Sequence, residues 1–311
     1  MLDIAVTGGA GFIGSNLVAK LCALGHRVIV VDDFSTGLAK NLEGLDCKVA
    51  NISILDRDQL KESFSGANYI FHLAAVGSVP RSIVFPEVAF KVNATGTLNV
   101  LEVAREIRAP VLFSSSSSVY GLNQELPKNE RMWTLPISPY AASKLAAESL
   151  VVSYIHSYSM KNLVLRFFNV YGPKQRSDHD YAAVIPKWIK RCIEGGSLEV
   201  FGDGSSSRDF TYVDFVVNVM IDAMNRQVSY ETPVNVATGH SITLNELVEE
   251  LRKSFKDLQV TNSPNRLGDV LHSSNDPLLL RGLFPKIDEV SFSDGILRTI
   301  EWSREQMLSS K

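Results

Sequence analysis

Two hydrophobic rhythms alternate along this chain. Short, nearly unbroken apolar runs at 2–6, 27–31, 47–52, 69–73 and 110–113 read as buried strands. Between them, apolar residues recur every three or four positions, as Leu17, Val18, Leu21 and Leu24 do, which is the period of an amphipathic helix. Further helices are predicted over 56–64, 87–107 (after Pro86) and 145–158. Strands that alternate with helices predict an α/β fold with a Rossmann-like, doubly wound parallel sheet and right-handed crossovers. Ligands of such sheets bind beyond the carboxyl ends of the strands.

From Pro173 the character changes. A polar loop leads into a predicted helix over 181–194 and a short strand over 198–201, closed by Gly202-Asp203-Gly204. A strand over 232–236 follows, and Thr243 with Glu246 forms a capping-box pattern that opens another helix. The expected division is a dinucleotide-binding domain over 1–172 and a smaller, discontinuous α/β lobe over 173–311, with some segments returning to the first domain. No internal repeat or low-complexity tract is present.

The chain has 311 residues, 45% hydrophobic and 21% charged, values ordinary for a globular protein. A net charge of −3 leaves no basic footprint, so nucleic acid is not an expected partner. Cys22, Cys47 and Cys192 are scattered, with neither disulfide nor zinc spacing. The first residues enter a strand directly and no apolar run reaches membrane-spanning length, so a reduced, cytoplasmic protein without a membrane partner is expected. His156, His179 and His240 have no metal-ligand spacing, and no metal is expected.

The chemistry begins in the turn after the first strand. Gly8, Gly11 and Gly14 stand between strand and helix, where glycine permits a tight turn and lets backbone amides approach a pyrophosphate at the helix N-terminus. The second strand ends in Asp32-Asp33, about 20 residues on, where a carboxylate binds an adenosine ribose diol and repels a 2′-phosphate. NAD is therefore favoured over NADP. Five serines, Ser114 to Ser118, follow the fifth strand and place hydroxyls at its carboxyl end. Tyr140 and Lys144 lie at i and i+4 and share one helical face. An ammonium beside a phenol favours the phenolate, which predicts a lowered tyrosine pKa and a usable general base.

With TGGAGFIG, VVDDFSTG, HLAA, SSSSSVYG, SPYAASK, LRFFNVYGP, FGDGSSSRDFTYVD and RLGDVLHSSND, essentially the whole chain resembles the extended short-chain dehydrogenase/reductases, in particular the nucleotide-sugar 4-epimerases. GSVPRS, YAAVIPKW and GDVLHS are most similar to those epimerases that act on UDP-GlcNAc and UDP-GalNAc. The resemblance implies Ser116, Tyr140 and Lys144 as catalytic residues, with Lys144 also holding the nicotinamide ribose. It implies NAD contacts at Gly8, Gly11, Phe12, Ile13, Gly14, Asp32, Asp33, Phe34, Ser35, Thr36, Gly37, Asn51, Ile52, Leu73, Ala74, Ala75, Asn93 and Phe168. UDP-sugar contacts are implied at Ser78, Arg81, Ser116, Asn169, Val184, Phe201, Arg208, Arg266 and Ser273. A homodimer is also implied, pairing the helix around 91–107 with the one around 144–158.

Two departures from relatives stand out. Asn51 stands where an aspartate usually meets adenine, and its amide oxygen can still accept from the adenine amino group. Ser117 and Ser118 stand where related 4,6-dehydratases carry Asp-Glu. Serine hydroxyls are poor acids and bases at neutral pH, so elimination lacks its catalysts while oxidation and reduction at C4 does not need them. Ser273 aligns with a gate beside the sugar, where a serine leaves room for a 2-acetamido group. The expected activity is NAD-dependent 4-epimerisation of UDP-hexoses, UDP-GlcNAc/UDP-GalNAc first and UDP-Glc/UDP-Gal with them. The alternatives are a 4,6-dehydratase, a decarboxylase, or a catalytically idle NAD-binding protein.

Overall fold

A computed structural model describes residues 1–178, 182–264 and 271–309. The strands of the first half are β1 (Asp3–Thr7), β2 (Arg27–Asp32), β3 (Cys47–Asn51), β4 (Tyr69–His72), β5 (Val111–Ser116) and β6 (Leu163–Phe167). Those that follow are β7 (Val170–Tyr171), β8 (Leu198–Phe201), β9 (Ser207–Asp209), β10 (Thr211–Tyr212), β11 (Val234–Val236), β12 (Ser241–Thr243) and β13 (Val260–Ser263). The main sheet has the order β11-β6-β5-β4-β1-β2-β3, and every neighbouring pair in it is parallel. The order runs outward from β1 in both directions, so the winding reverses between β1 and β4, where an open α/β sheet forms its binding crevice.

The period-2 alternation of strands sends successive residues to opposite faces. Ile4 and Val6 enter one buried cluster with Val28 and Val30, while Ala5 and Val31 enter another. The helices of the first half are α1 (Phe12–Ala23), α2 (Arg57–Ser63), α3 (Val79–Val84), α4 (Pro86–Phe90), α5 (Gly96–Ile107) and α6 (Pro139–Tyr158). The later ones include α7 (Val184–Ile193), α8 (Val213–Asn225) and α9 (Leu244–Ser254). Residues of α2, α5 and α6 cover the Ala5 face, and those of α1 and α8 cover the other. Each fully buried Leu, Ile or Val contributes about 1.5–3 kcal/mol. Among the described residues no helix is long and apolar enough to cross a membrane.

The strand expected over 232–236, β11, pairs with β6 at the edge of the main sheet. Two elements differ from the sequence expectation. The helix expected over 87–107 is interrupted by a π-helical turn, Lys91–Thr95, between α4 and α5. There the buried Asn93 carbonyl accepts from the Thr97 hydroxyl at 2.6 Å. The fifth strand runs on through Ser116, so the first serines belong to the sheet rather than to a loop. Among the described residues the later half adds three two-stranded sheets, β10-β7, β12-β9 and β13-β8. Where the chain enters it, the loop is bonded to the first half. Asn16 donates to the Pro173 carbonyl (3.0 Å), Lys174 to that of Asn41 (2.9 Å) and Arg176 to that of Thr36 (3.3 Å).

The glycine turn allows no side chain. A Cβ on Gly8, whose φ is +70°, would stand 2.6 Å from the Ala74 nitrogen, and one on Gly14 would overlap the Gly8 carbonyl oxygen. Gly14→Ala should destabilise the protein by about 3 kcal/mol, read as a lower urea midpoint, since the clash is with backbone that cannot rotate away.

His72 is fully buried between the Thr7 hydroxyl (2.7 Å) and the Thr97 hydroxyl (2.9 Å). Burial, with a smaller contribution from Lys144, lowers its pKa from 6.5 to about 3. The unfolded chain therefore binds the proton first, so the stability this neutral imidazole contributes is complete above pH 6.5 and falls as pH drops toward 3. Urea unfolding from pH 7 to pH 5 should show a loss of up to about 1.4 kcal/mol per pH unit that His72→Gln removes.

Candidate active site

The residues singled out in the sequence collect along one edge of the main sheet, at the carboxyl ends of its strands. Thr7 closes β1 and leads into the glycine turn, Asp32 closes β2, and Asn51 closes β3 beside Asp32 in register. Leu73, Ala74 and Ala75 follow β4, Ser116 ends β5, and Phe168 and Asn169 follow β6. The Leu73 and Ala74 amides each donate to the Thr7 hydroxyl at 3.2 Å, which holds HLAA against the glycine turn.

Asp32 is buried, and both its oxygens work on the protein itself. The Ala10 amide donates to Oδ2 and the Phe34 amide to Oδ1, each at 2.9 Å. Desolvation raises the pKa of this carboxyl against those two bonds. Asp32 thus shapes the turn that it closes, with lone pairs left over for a ribose. Asp33 is exposed and accepts from the Ser35 amide. Phe12 and Ile13 open α1, and Phe34, Ser35, Thr36 and Gly37 form the loop after β2. A Cβ on Gly37 would stand 2.9 Å from an Asp32 oxygen, so this loop also depends on a missing side chain. These narrow, amide-lined turns fit a dinucleotide.

The catalytic candidates converge from two elements. Ser138 caps α6 by accepting from the Ala141 amide, and Pro139 takes the first turn, where no amide is needed. Tyr140 therefore sits inside the helix, which starts earlier than expected. Its amide donates to Ser82 Oγ (2.9 Å) and its carbonyl accepts from Ser143 Oγ (2.8 Å). Ser116 caps the short 3-10 turn Ser117–Tyr120, accepts from the Ser118 amide, and hydrogen-bonds the Tyr140 phenol. The expected lowering of the Tyr140 pKa is not found. Burial raises it, and the Ser116 bond opposes that only in part, because desolvating a phenolate costs more than one hydroxyl returns. Lys144 is buried with its Nζ 4.4 Å from the Phe113 ring centre, and desolvation lowers it to about 7 against the pull of Glu148.

Asn93 is tied into the protein on both sides of its side-chain amide. Its Oδ1 accepts from the Val76 amide (2.8 Å), and its amide group donates to the Val76 carbonyl and to Ser143 Oγ. The side chain is thus a clamp behind Tyr140. Ser82 and Ser143 are positioning residues that motif matching passed over. Both lie inside quoted motifs, and only their backbone partners reveal the role.

The expected sugar-nucleotide residues fall on neighbouring segments. Ser78 caps α3, and Arg81 lies in its last turn. Asn169 has an unusual φ of +27°, and its amide donates to the Asp209 carbonyl. The Arg208 guanidinium donates to the Ser207 and Leu271 carbonyls, and the Ser273 amide donates to the Ser207 carbonyl at 3.0 Å, so Arg208 and Ser273 lie on bonded strips. Val184 opens α7, and Phe201 ends β8. Arg266 lies outside the described residues. Among the described residues no group of three His, Cys, Asp or Glu side chains could hold a metal ion.

Residues 4–237 match the sequence profile of the NAD dependent epimerase/dehydratase family. UDP-glucose 4-epimerase of Mycolicibacterium smegmatis is 36% identical, over 97% of this chain and 98% of its own length. UDP-N-acetyl-alpha-D-glucosaminuronate decarboxylase of Bacillus cytotoxicus is 32% identical, over 96% and 97%. The solved structure of UDP-N-acetylglucosamine 4-epimerase from Methanobrevibacter ruminantium, in complex with UDP-N-acetylmuramic acid, superposes with a TM-score of 0.93 at 36% identity, over 98% of this chain and 99% of that one. The glycine cradle, the carboxylate closing β2 and the Ser116–Tyr140–Lys144 set agree with these similarities: the chain belongs to the NAD-dependent epimerase/dehydratase family, and NAD is its cofactor.

Proposed function

We propose that this protein is a UDP-hexose 4-epimerase that interconverts UDP-GlcNAc and UDP-GalNAc and also accepts UDP-Glc and UDP-Gal. The observation that carries the reading is the turn after β5, where Ser116 is followed by Ser117 and Ser118 rather than by a carboxylic acid pair. Ser118 is spent on Ser116, giving it an amide bond at 3.2 Å and accepting its hydroxyl at 3.1 Å. Neither serine can protonate a leaving 6-hydroxyl or abstract a C5 proton at neutral pH, and reversible oxidation at C4 requires neither act.

Bound NAD supplies a hydride acceptor, and then a donor, for the sugar C4. Tyr140 takes the 4-hydroxyl proton and later returns it, Ser116 orients the 4-oxygen, and the Lys144 ammonium stabilises the phenolate that results. Because burial raises Tyr140, the phenolate needs that ammonium at the moment of transfer. Asn169, Phe201, Arg208 and Arg266 are the residues proposed to hold the UDP group, arginine for its planar, permanent charge.

The acetamido reading rests on Ser273. Its amide is bonded to Ser207, and its carbonyl accepts from Ser241 Oγ at 2.8 Å, so the strip is fixed and presents a small side chain. The decarboxylase similarity supports a second reading, in which C4 oxidation of a UDP-uronate leads to loss of carbon dioxide. A homodimer is also proposed, supported by the apolar side chains Ile83, Val84, Phe85, Val88 and Phe90, which α3 and α4 leave exposed. Three free cysteines support a cytoplasmic setting.

Incubation with UDP-GlcNAc, followed by anion-exchange chromatography and mass spectrometry, should give UDP-GalNAc without a change in mass. A loss of carbon dioxide from a UDP-uronate, with no isobaric product from either hexose, would establish the second reading instead. Tyr140→Phe should lower turnover at least about a hundredfold while NAD stays bound. Ser273→Tyr should lower kcat/KM for UDP-GlcNAc about tenfold or more and spare UDP-Glc, which ratios of initial rates will read.

A further inference from the structure

Below the catalytic set lies a second polar layer that the reaction just described does not use. Glu148, one helical turn beyond Lys144, is 3% exposed. Its Oε2 accepts from Ser115 Oγ (2.6 Å) and Arg166 Nε (3.0 Å), and its Oε1 accepts from Arg166 Nη2 (2.6 Å). Ser115 and Arg166 face each other in the β5–β6 register, so one carboxylate ties α6 to both strands. Arg166 also donates to the Tyr120 hydroxyl, Tyr120 to Asn235 and Asn235 to Asn275, each at 2.8 Å.

Stability is a poor reason for such a layer. A buried ion pair seldom recovers its desolvation cost, and apolar side chains of similar volume often serve the fold as well or better. An apolar pair could not set a negative charge one turn from a buried ammonium while gripping the strand end beside Ser116.

We propose that Glu148, clamped by Arg166 and Ser115, is a positioning residue for the C4 chemistry: it keeps Lys144 cationic and fixes the end of β5 on which Ser116 stands. This inference rests on the epimerase reading of the site. Lys144 has Tyr140 and Glu148 on its own helix. The neutral His72 lies on β4, the Phe113 ring and Ser115 on β5, Arg166 on β6 and Tyr120 in the turn after β5. Glu148 is the carboxylate in this set. Burial draws Lys144 down to about 7 and Glu148 resists it, so loss of the carboxylate makes the ammonium shed its proton at lower pH.

The test compares Glu148→Gln with the double variant Glu148→Leu/Arg166→Met. The single change leaves a buried guanidinium unpaired and can cost the fold, whereas the double change removes both charges. Expected for the folded double variant are a kcat at least about tenfold lower, a KM for UDP-GlcNAc within about twofold, and an alkaline limb of kcat about one pH unit lower. A double variant with the wild-type kcat and pH profile would overturn the proposal. If the wild-type protein converts no UDP-sugar, the epimerase reading fails, and the proposal is decided by competitive acetylation of Lys144, read by peptide mass spectrometry across pH. A midpoint that falls in the double variant upholds the role of Glu148, and an unmoved one overturns it.

Discussion

The backbone contact between the glycine turn and the segment after β4 is the constraint on which the site depends. Gly8 stands so close to Ala74 that a single methyl group would part them, and the Thr7 hydroxyl bonds the same segment. This contact sets the distance between β1 and β4 at the point where the winding reverses. The crevice there, the carboxylate closing β2 and the serines ending β5 are all measured from it. Ordinary sheet packing fixes strands to within a side chain, but here the tolerance is smaller than a carbon atom.

Around that rigid edge the protein buries an unusual amount of polarity. His72, Asn93, Lys144, Glu148, Arg166 and Asp209 are all nearly inaccessible to solvent. Most of them have partners close by: Asp209, raised to about 6 by burial, accepts from the Thr238 and Gly239 amides, and Asn93 is bonded to Val76 and Ser143. A low-dielectric interior strengthens each of these bonds and penalises any that is broken. The site is accordingly a fixed frame in which few polar atoms remain free to turn toward a ligand.

Local order was legible in the sequence, and consequences of distance were not. The strand runs, the Gly8–Gly14 turn and the Tyr140–Lys144 spacing are written in adjacent residues, and all three stand in the structure where they were expected. The π-helical turn at Lys91–Thr95 escaped because one added residue barely disturbs a helical period. Val234–Val236 reads as a strand in isolation, but nothing near it says that its partner is Leu163–Phe167. Glu148 follows two alanines in a helix and looks like a solvated acid until Arg166 arrives from another strand. The raised Tyr140 has the same origin: burial is a property of the assembled fold, whereas a neighbouring lysine is visible four letters away.

The hydrogen bonds from Asn16, Lys174 and Arg176 give the chain's passage between its halves a mechanical character. A free loop at such a crossing acts as a hinge and lets one half swing against the other. Here the crossing is riveted on both sides, to the carbonyls of Asn41 and Thr36 and through that of Pro173. Rotation of the later half would have to break these bonds or draw the loop after β2 along with it.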